Sequence, residues 1–260
     1  MRLTRVYTPD LLSPDTAVVL SAMPSAHLIK VLRLRAGAKA ILFNGNGTDY
    51  LCEILAAKPE AAQLQILSAQ PAAAESSLKI TLLQAICRGD KMDWVLEKAT
   101  ELGVTHIIPV QSERSEVQLD SERASKRREH WQRVVVSACE QSGRAFVPQV
   151  ETLQTLGNRL SGAVSAVTKF VLEPGGAPIS SASVVMLREH LSAALAARPT
   201  STSVALAVGP EGGWSERDLA QLTLGGFSQV AIGPRVLRTE TAGVAAISVI
   251  QALCGDFARY

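Results

Sequence analysis

The 260-residue chain has no closely spaced cysteine pair: Cys52, Cys87, Cys139 and Cys254 stand far apart. That spacing argues against a disulfide framework and against a tetrahedral zinc site, so reduced thiols in a cytoplasm are expected and no metal is. No apolar run is long enough to span a bilayer. The longest charge-free stretch near the C-terminus, Thr241–Gly255, is too short and contains Ser248 and Gln251. The opening MRLTRVYTPD carries arginines with no apolar run behind them. No secretory leader is expected from it, and no membrane partner.

Two nucleotide-binding fingerprints are also missing. No glycine-rich loop ends in Gly-Lys-Ser/Thr, which excludes a P-loop. Gly45-x-Gly47 lacks a third glycine, Tyr50 standing in its place, which argues against dinucleotide binding and against open Rossmann-type methyltransferases. Acid is absent locally as well. From Thr16 to Thr48 there is no Asp or Glu, while Lys30, Arg33, Arg35 and Lys39 add four positive charges and His27 precedes them. A net charge of +2 for the whole chain says nothing about partners. A local excess of cations is what a polyanion feels, because it releases counterions condensed on phosphates. A solvated helix face would look the same from composition alone.

What is present divides into two textures. Up to about residue 70 the apolar runs are short and strand-like: Ala40–Phe43, Tyr50–Leu55 and Leu64–Leu67. Asn44-Gly-Asn-Gly47 between the first two is a hairpin turn signal. Gln70–Ser77 reads as a linker. Beyond it, strands at Leu78–Ile86, Val104–Val110, Ala166–Leu172, Val204–Val208 and Gln229–Ile232 alternate with helices at Asp90–Leu102 and about Ser121–Cys139. That alternation gives an α/β fold with a mostly parallel sheet behind a small β domain, the boundary falling between residues 72 and 73. A last helix, Thr239–Cys254, is apolar on almost every side, so either the sheet core or a partner subunit must cover it.

In such a fold the chemistry lies where strands end and helices begin. Two junctions stand out, Val208-Gly-Pro-Glu-Gly-Gly-Trp214 and Ile232-Gly-Pro-Arg-Val-Leu-Arg-Thr-Glu-Thr241. Each closes a strand, opens a helix, and embeds an acid or an arginine in backbone free to approach a ligand. A reading of both as plain tight turns is weaker, because two of them fall within the last 55 residues.

At these loops the chain resembles the RsmE family, bacterial ribosomal RNA uridine N3-methyltransferases of the SPOUT superfamily. The nine residues from Gly233 to Thr241, GPRVLRTET, carry the resemblance together with Gly209-Pro-Glu-Gly-Gly213. Supporting segments follow in the same order: His27–Arg33, Arg88–Trp94, Glu97–Val104, Ser112–Arg114 and Ala138–Arg144. The stretch from about 150 to 200 matches loosely.

The resemblance implies a PUA-like β-barrel over 1–72 and a SPOUT α/β domain with a trefoil knot over 73–260. It implies S-adenosylmethionine as methyl donor, held by Leu172, Glu173, Val208, Gly209, Pro210, Glu211, Gly212, Gly213, Ile232, Gly233, Pro234, Val236, Leu237 and Arg238. It implies a homodimer acting on 16S ribosomal RNA at uridine 1498, within the small ribosomal subunit. RNA contacts are expected at His27, Lys30, Arg33, Arg35, Arg88, Lys91, Arg114 and Arg144. For methylation at N3 the enzyme must remove a weakly acidic proton or stabilise the resulting anion. Arg238, always charged, is the expected stabiliser, with Glu211 and Glu240 as bases or orienters. Arg238 and Glu240 could instead pair and brace the loop. Two other activities stay open on the residues alone: ribose 2′-O-methylation by another SPOUT enzyme, and a non-catalytic role in ribosome assembly.

Overall fold

A computed structural model describes residues 3–73, 75–117, 120–162, 164, 166, 168–174, 185–186 and 203–258. Most of the loosely matching 150–200 stretch beyond residue 174 lies outside the described residues. The chain divides into two compact units, one comprising Met1–Glu75 with Val136–Val147, the other Ser76–Val135 with Pro148–Tyr260.

The first unit holds five strands: β1 (Arg5–Tyr7), β2 (Ala17–Val19), β3 (Lys39–Phe43), β4 (Thr48–Ala56) and β5 (Gln63–Pro71), in the order β1-β3-β4-β5-β2. β1 runs parallel to β3 and the other pairs are antiparallel. Alternation sets the inward face. Tyr50, Cys52 and Ile54 of β4 and Leu64 and Ile66 of β5 enter one core with Val6, Leu20, Leu28 and Leu42. The Asn44–Gly47 turn forms as its sequence expects, with Gly45 and Gly47 at φ of 90° and 85°. A short helix, α1 (Ala22–Ala26), continues into a π-helical turn at His27–Val31, which the sequence pattern did not reveal.

Residues 136–147 belong to this unit through buried polar contacts. The Arg5 guanidinium donates to both carboxylate oxygens of Asp49 at 2.5 and 2.8 Å and to the Arg144 carbonyl at 3.1 Å. It also lies 5.0 Å from the centre of the Phe43 ring. Glu75 accepts from Arg144 and from the backbone N–H groups of Ala145 and Phe146. Glu140 accepts the N–H of Tyr7 at 2.9 Å. Arg144, expected among the RNA contacts, is 2% exposed. Its guanidinium is spent on an internal carboxylate and is not presented to an outside phosphate.

The second unit is built on a parallel sheet of β6 (Lys79–Ala85), β7 (Val104–Gln111), β8 (Gln149–Val150), β9 (Gln154–Thr155), β10 (Thr168–Leu172), β11 (Val185–Met186), β12 (Ser203–Val208) and β13 (Ser228–Ala231). The order is β11-β13-β10-β12-β6-β7-β8, with β9 also pairing β7. Both faces are covered, so β6 and β12 read as continuous apolar runs. Helix α2 (Lys91–Glu101) buries Met92, Val95, Leu96 and Ala99 and ends at Gly103, whose φ is 88°. Helix α3 (Ser121–Ser142) contains the point at which the two units divide. Two shorter helices follow, α4 (Leu156–Ser161) and α5 (Glu216–Leu224). Ser215 and Asp218 close a capping box at the start of α5.

The last helix, α6 (Thr239–Cys254), spans the residues its pattern marks. One face is buried, through Gly243, Ala246, Ile247, Ile250 and Gln251. Val244, Val249 and Leu253 are only half-buried. The sheet core therefore covers part of this apolar helix and leaves the rest open. Among the described residues no helix is long and apolar enough to cross a membrane.

The Arg5–Asp49 pair gives the most direct test of how residues 136–147 are held. Arg5→Leu leaves a shielded carboxylate without its cation and should cost about 3–5 kcal/mol. Urea unfolding of the whole chain, followed in the first unit, measures it. A loss below about 1 kcal/mol would show that the pair is not what fixes residues 136–147 there.

Candidate functional site

Three strands that lie side by side, β12, β10 and β13, end at the same edge of the sheet, and their following loops enclose a cavity of about 400 Å³. After β10 come Leu172, Glu173 and Pro174. After β12 come Val208, Gly209, Pro210, Glu211, Gly213 and Trp214. After β13 come Ile232, Gly233, Arg235, Val236, Leu237, Arg238 and Thr239, with Ala242 of α6 and Lys91 of α2 completing the wall. Of the residues that the sequence assigns to a ligand, Gly212 and Pro234 alone are not in the lining. Gly212 instead packs on Arg114, whose guanidinium donates to the Gly212 carbonyl at 3.2 Å.

The loops keep their shape through contacts that no pattern in the sequence announces. The Thr239 hydroxyl donates to the Gly209 carbonyl at 2.5 Å and accepts from Gln84 Nε2 at 3.3 Å. Gln84 is fully buried at the end of β6, so this chain of bonds ties two loops to the sheet. Gly209 lies flat on the Trp214 indole, where a Cβ would come within 3.2 Å of the ring. Gly233 has φ of 129°, a backbone conformation that side chains rarely adopt. Cys87, beside Thr239, is a buried thiol pushed up to about 11 by burial, which leaves it unreactive.

Charge is distributed unevenly round the cavity. Lys91 Nζ donates to Glu211 Oε1 at 3.0 Å and lies 3.6 Å from Glu240 Oε2. Glu211 Oε1 also accepts the backbone N–H of Arg88 at 3.2 Å. Burial raises the Glu211 carboxyl, but the hydrogen bonds from backbone and Lys91 outweigh it and hold the group below its usual value. The hydrogen bond to Glu211 in turn raises Lys91. Glu173 differs: burial pushes its carboxyl up, with Arg114 opposing, and its Oε2 is buried without a hydrogen-bond partner. Glu240 Oε2 is likewise buried without a hydrogen bond.

Arg235 and Arg238 are exposed on the cavity wall. The ion pair between Arg238 and Glu240 does not form; Glu240 faces Lys91 instead. Arg238 stands at the N-cap of α6 and makes no ion pair among the described residues. A cation beside the positive end of a helix gains no stability from that position, so folding does not account for it.

The residues expected to meet RNA are dispersed. Lys30, Arg33 and Arg35 are exposed and His27 half-buried in the first unit, Arg33 with a positive φ of 55°. In the second unit Arg88 is exposed and paired with Glu116, and Arg114 is held to Gly212. Lys91 lines the cavity rather than an outer surface. Trp214, Arg235 and Thr239 lay inside the two segments that the sequence singled out. Gln84 gave no signal, because a lone Gln in an apolar strand has no motif. Among the described residues no group of three or more His, Cys, Asp or Glu could hold a metal ion.

The cavity wall carries both signs of charge, Lys91, Arg235 and Arg238 against Glu173 and Glu211, together with hydrogen-bonding edges. Two carboxylate oxygens at or near it lack hydrogen bonds, and three loops offer open backbone. Its volume falls within the usual range of about 300–1,000 Å³ for small-molecule sites.

Comparison with known proteins agrees with that geometry. Residues 74–251 match an RNA methyltransferase domain family, and residues 25–67 match an RNA methyltransferase PUA domain. A ribosomal RNA small subunit methyltransferase E of Buchnera aphidicola is 31% identical over 98% of each chain. The crystal structure of a protein of that name from Neisseria gonorrhoeae, bound to S-adenosylmethionine, is 38% identical and superposes with a TM-score of 0.86 over 98% of this chain and 100% of that one. A Legionella pneumophila methyltransferase in complex with the same cofactor is 35% identical, with the same TM-score and coverage. With its PUA-like unit, its parallel α/β unit and the loops that close the cavity, this chain belongs to the ribosomal RNA small subunit methyltransferase E family.

Proposed function

We propose that the protein transfers a methyl group from S-adenosylmethionine to N3 of a uridine in 16S ribosomal RNA, uridine 1498. The observation that carries this reading is Arg238: an exposed guanidinium on the cavity wall with no ion pair among the described residues, beside loops rich in open backbone. When bound, S-adenosylmethionine supplies an electrophilic methyl group on a sulfonium. Backbone groups of Leu172–Glu173, Val208–Gly213 and Ile232–Leu237 hold and orient it, and positioning is a large part of the catalysis of such an in-line transfer. Arg238 offsets the charge that develops on the uracil as N3 loses its proton, and each unit by which the site lowers the N3 pKa is worth about 1.4 kcal/mol.

The same reading takes residues 1–72 as the RNA-gripping domain, with Lys30, Arg33 and Arg35 facing phosphates, and residues 73–260 as the methyltransferase domain. The strand order β13-β10-β12, in which the last strand returns past β10, supports a threaded, knotted C-terminal segment. The half-buried Val244, Val249 and Leu253 of α6 support a second copy of the chain as the missing cover, and the same reading takes the protein as a cytoplasmic homodimer acting on the small ribosomal subunit. Ribose 2′-O-methylation is disfavoured by the PUA-like unit and by the GPRVLRTET form of the last loop.

Primer extension on 16S RNA from cells lacking the protein tests the assignment, since an N3 methyl group blocks Watson–Crick pairing and stops the polymerase. Loss of a single stop at uridine 1498 is expected; an unchanged pattern would end the proposal. Arg238→Ala should lower turnover by about 10²-fold or more while the unfolding midpoint and dimer remain as in wild type, and near-normal turnover would remove Arg238 from the mechanism. Replacing Lys30, Arg33 and Arg35 with Gln should weaken RNA binding and reduce the salt slope by about 0.7 for each phosphate no longer neutralised. Binding titrations over a range of salt concentration measure that slope, and an unaltered slope would place the RNA elsewhere.

A further inference from the structure

Within the reading of uridine N3 methylation, on which this inference rests, we propose that Glu173 is the catalytic base that takes the N3 proton. Three carboxylates stand at or near the cavity, and the structure gives them different surroundings. Glu211 is committed: Lys91 and the Arg88 N–H both donate to its Oε1, and a carboxylate so held is a weak base. Glu240 lies behind Lys91, 3.6 Å from its ammonium, and is not part of the cavity lining. Glu173 lines the cavity directly, and its Oε2 is buried with no hydrogen-bond partner.

Its backbone is fixed, while its Oε2 has no hydrogen-bond partner among the described residues. Leu172 is the last residue of β10, in register with Val230 of β13, and the Glu173 N–H donates to the Val230 carbonyl at 3.0 Å. The side chain therefore leaves from a rigid sheet end, as a positioned base requires. A buried carboxylate oxygen without a donor is costly to the fold, and a ligand proton arriving at that oxygen satisfies it. Arg114 opposes the upward push of burial; the other charged groups on the cavity walls are Lys91, Glu211, Arg235 and Arg238. Burial is the larger influence and raises the carboxyl, the direction that makes a carboxylate a stronger base.

The step balances without a further reactant. The Glu173 carboxylate accepts the proton from N3, and the freed N3 electron pair forms the bond to the methyl carbon. The pair of the breaking C–S bond goes to sulfur, which ends as a neutral thioether. The protonated Glu173 returns its proton to water after product leaves.

Glu173→Gln tests the assignment, with S-adenosylmethionine affinity read by calorimetry and turnover read on uridine-containing and 5-fluorouridine-containing RNA, whose N3–H is more acidic. The expected result is unchanged cofactor affinity, turnover about 10²–10⁴-fold lower on uridine, and a much smaller loss on 5-fluorouridine. The acid limb of the wild-type pH–rate profile should disappear in Glu173→Gln and persist, at lower rate, in Glu173→Asp. Burial raises two glutamates, Glu140 and Glu173, so carboxyl NMR of the free protein should show two raised groups, of which only one is missing in Glu173→Gln. If Glu173→Gln keeps wild-type turnover and acid limb, or loses cofactor affinity with turnover at saturation intact, Glu173 is not the base. If the wild-type protein itself leaves N3 of uridine unmethylated in both RNAs, the functional reading fails, and the assignment of Glu173 falls with it.

Discussion

The bond from the Thr239 hydroxyl to the Gly209 carbonyl is the contact on which the site depends. It joins the loop after β12 to the first turn of α6, and Gln84 anchors it from within the sheet. Part of the loop backbone is spent on holding the loops, the Gly213 N–H on the Pro210 carbonyl and the Glu173 N–H on that of Val230, and what stays open can meet a ligand. Side chains beneath them do the rest: Thr239 and Gln84 on one side, the Trp214 indole under Gly209 on the other, Arg114 against Gly212. The strand order then matters. Because β12, β10 and β13 are neighbours, their three loops meet round one cavity and need no domain closure to do so.

Electrostatics follows from the same placement. Lys91 begins α2, a helix with no sequence neighbour in the loops, yet its ammonium satisfies Glu211 and faces Glu240. Among the described residues this leaves the two arginines of the last loop without acidic partners and the Glu173 carboxylate without a donor. A buried oxygen with no hydrogen bond costs about 1–3 kcal/mol, so the Glu173 oxygen is a place where the fold gives up stability, whereas the exposed arginines are satisfied by solvent.

Much of this was legible from residues. Hydrophobic periodicity located β3, β4, β6, β7, β10, β12 and β13 to within a few positions, and α6 at both ends, because those segments bury one or two faces in a regular way. The two Gly-Pro loops were legible because glycine and proline next to a strand end have few structural excuses. Less visible were β1, β2, β8, β9 and α4, which are short and rely on partners distant in sequence for their stability. The kinship of residues 136–147 with the N-terminal unit was invisible, since it rests on Arg5, Tyr7 and Glu75 reaching partners 69 to 139 positions away. A basic residue looks alike in a sequence whether it faces solvent or a buried acid. Hence Arg144 passes for a surface cation until its burial is seen.

By itself the sequence determined the α/β plan, the small β unit before it, the absence of familiar nucleotide fingerprints and the two segments that carry the chemistry. These are local properties, written in periodicity and in the torsional habits of glycine and proline. Only the tertiary structure decided which charges meet. It gave Lys91 to Glu211 rather than to an outer surface, kept Arg238 apart from Glu240, and left the Glu173 carboxylate without a donor at the end of β10. Hydrogen bonds need contact within about 3 Å and exposed charges are screened beyond about 10 Å, so partners are chosen by packing in three dimensions and not by distance along the chain.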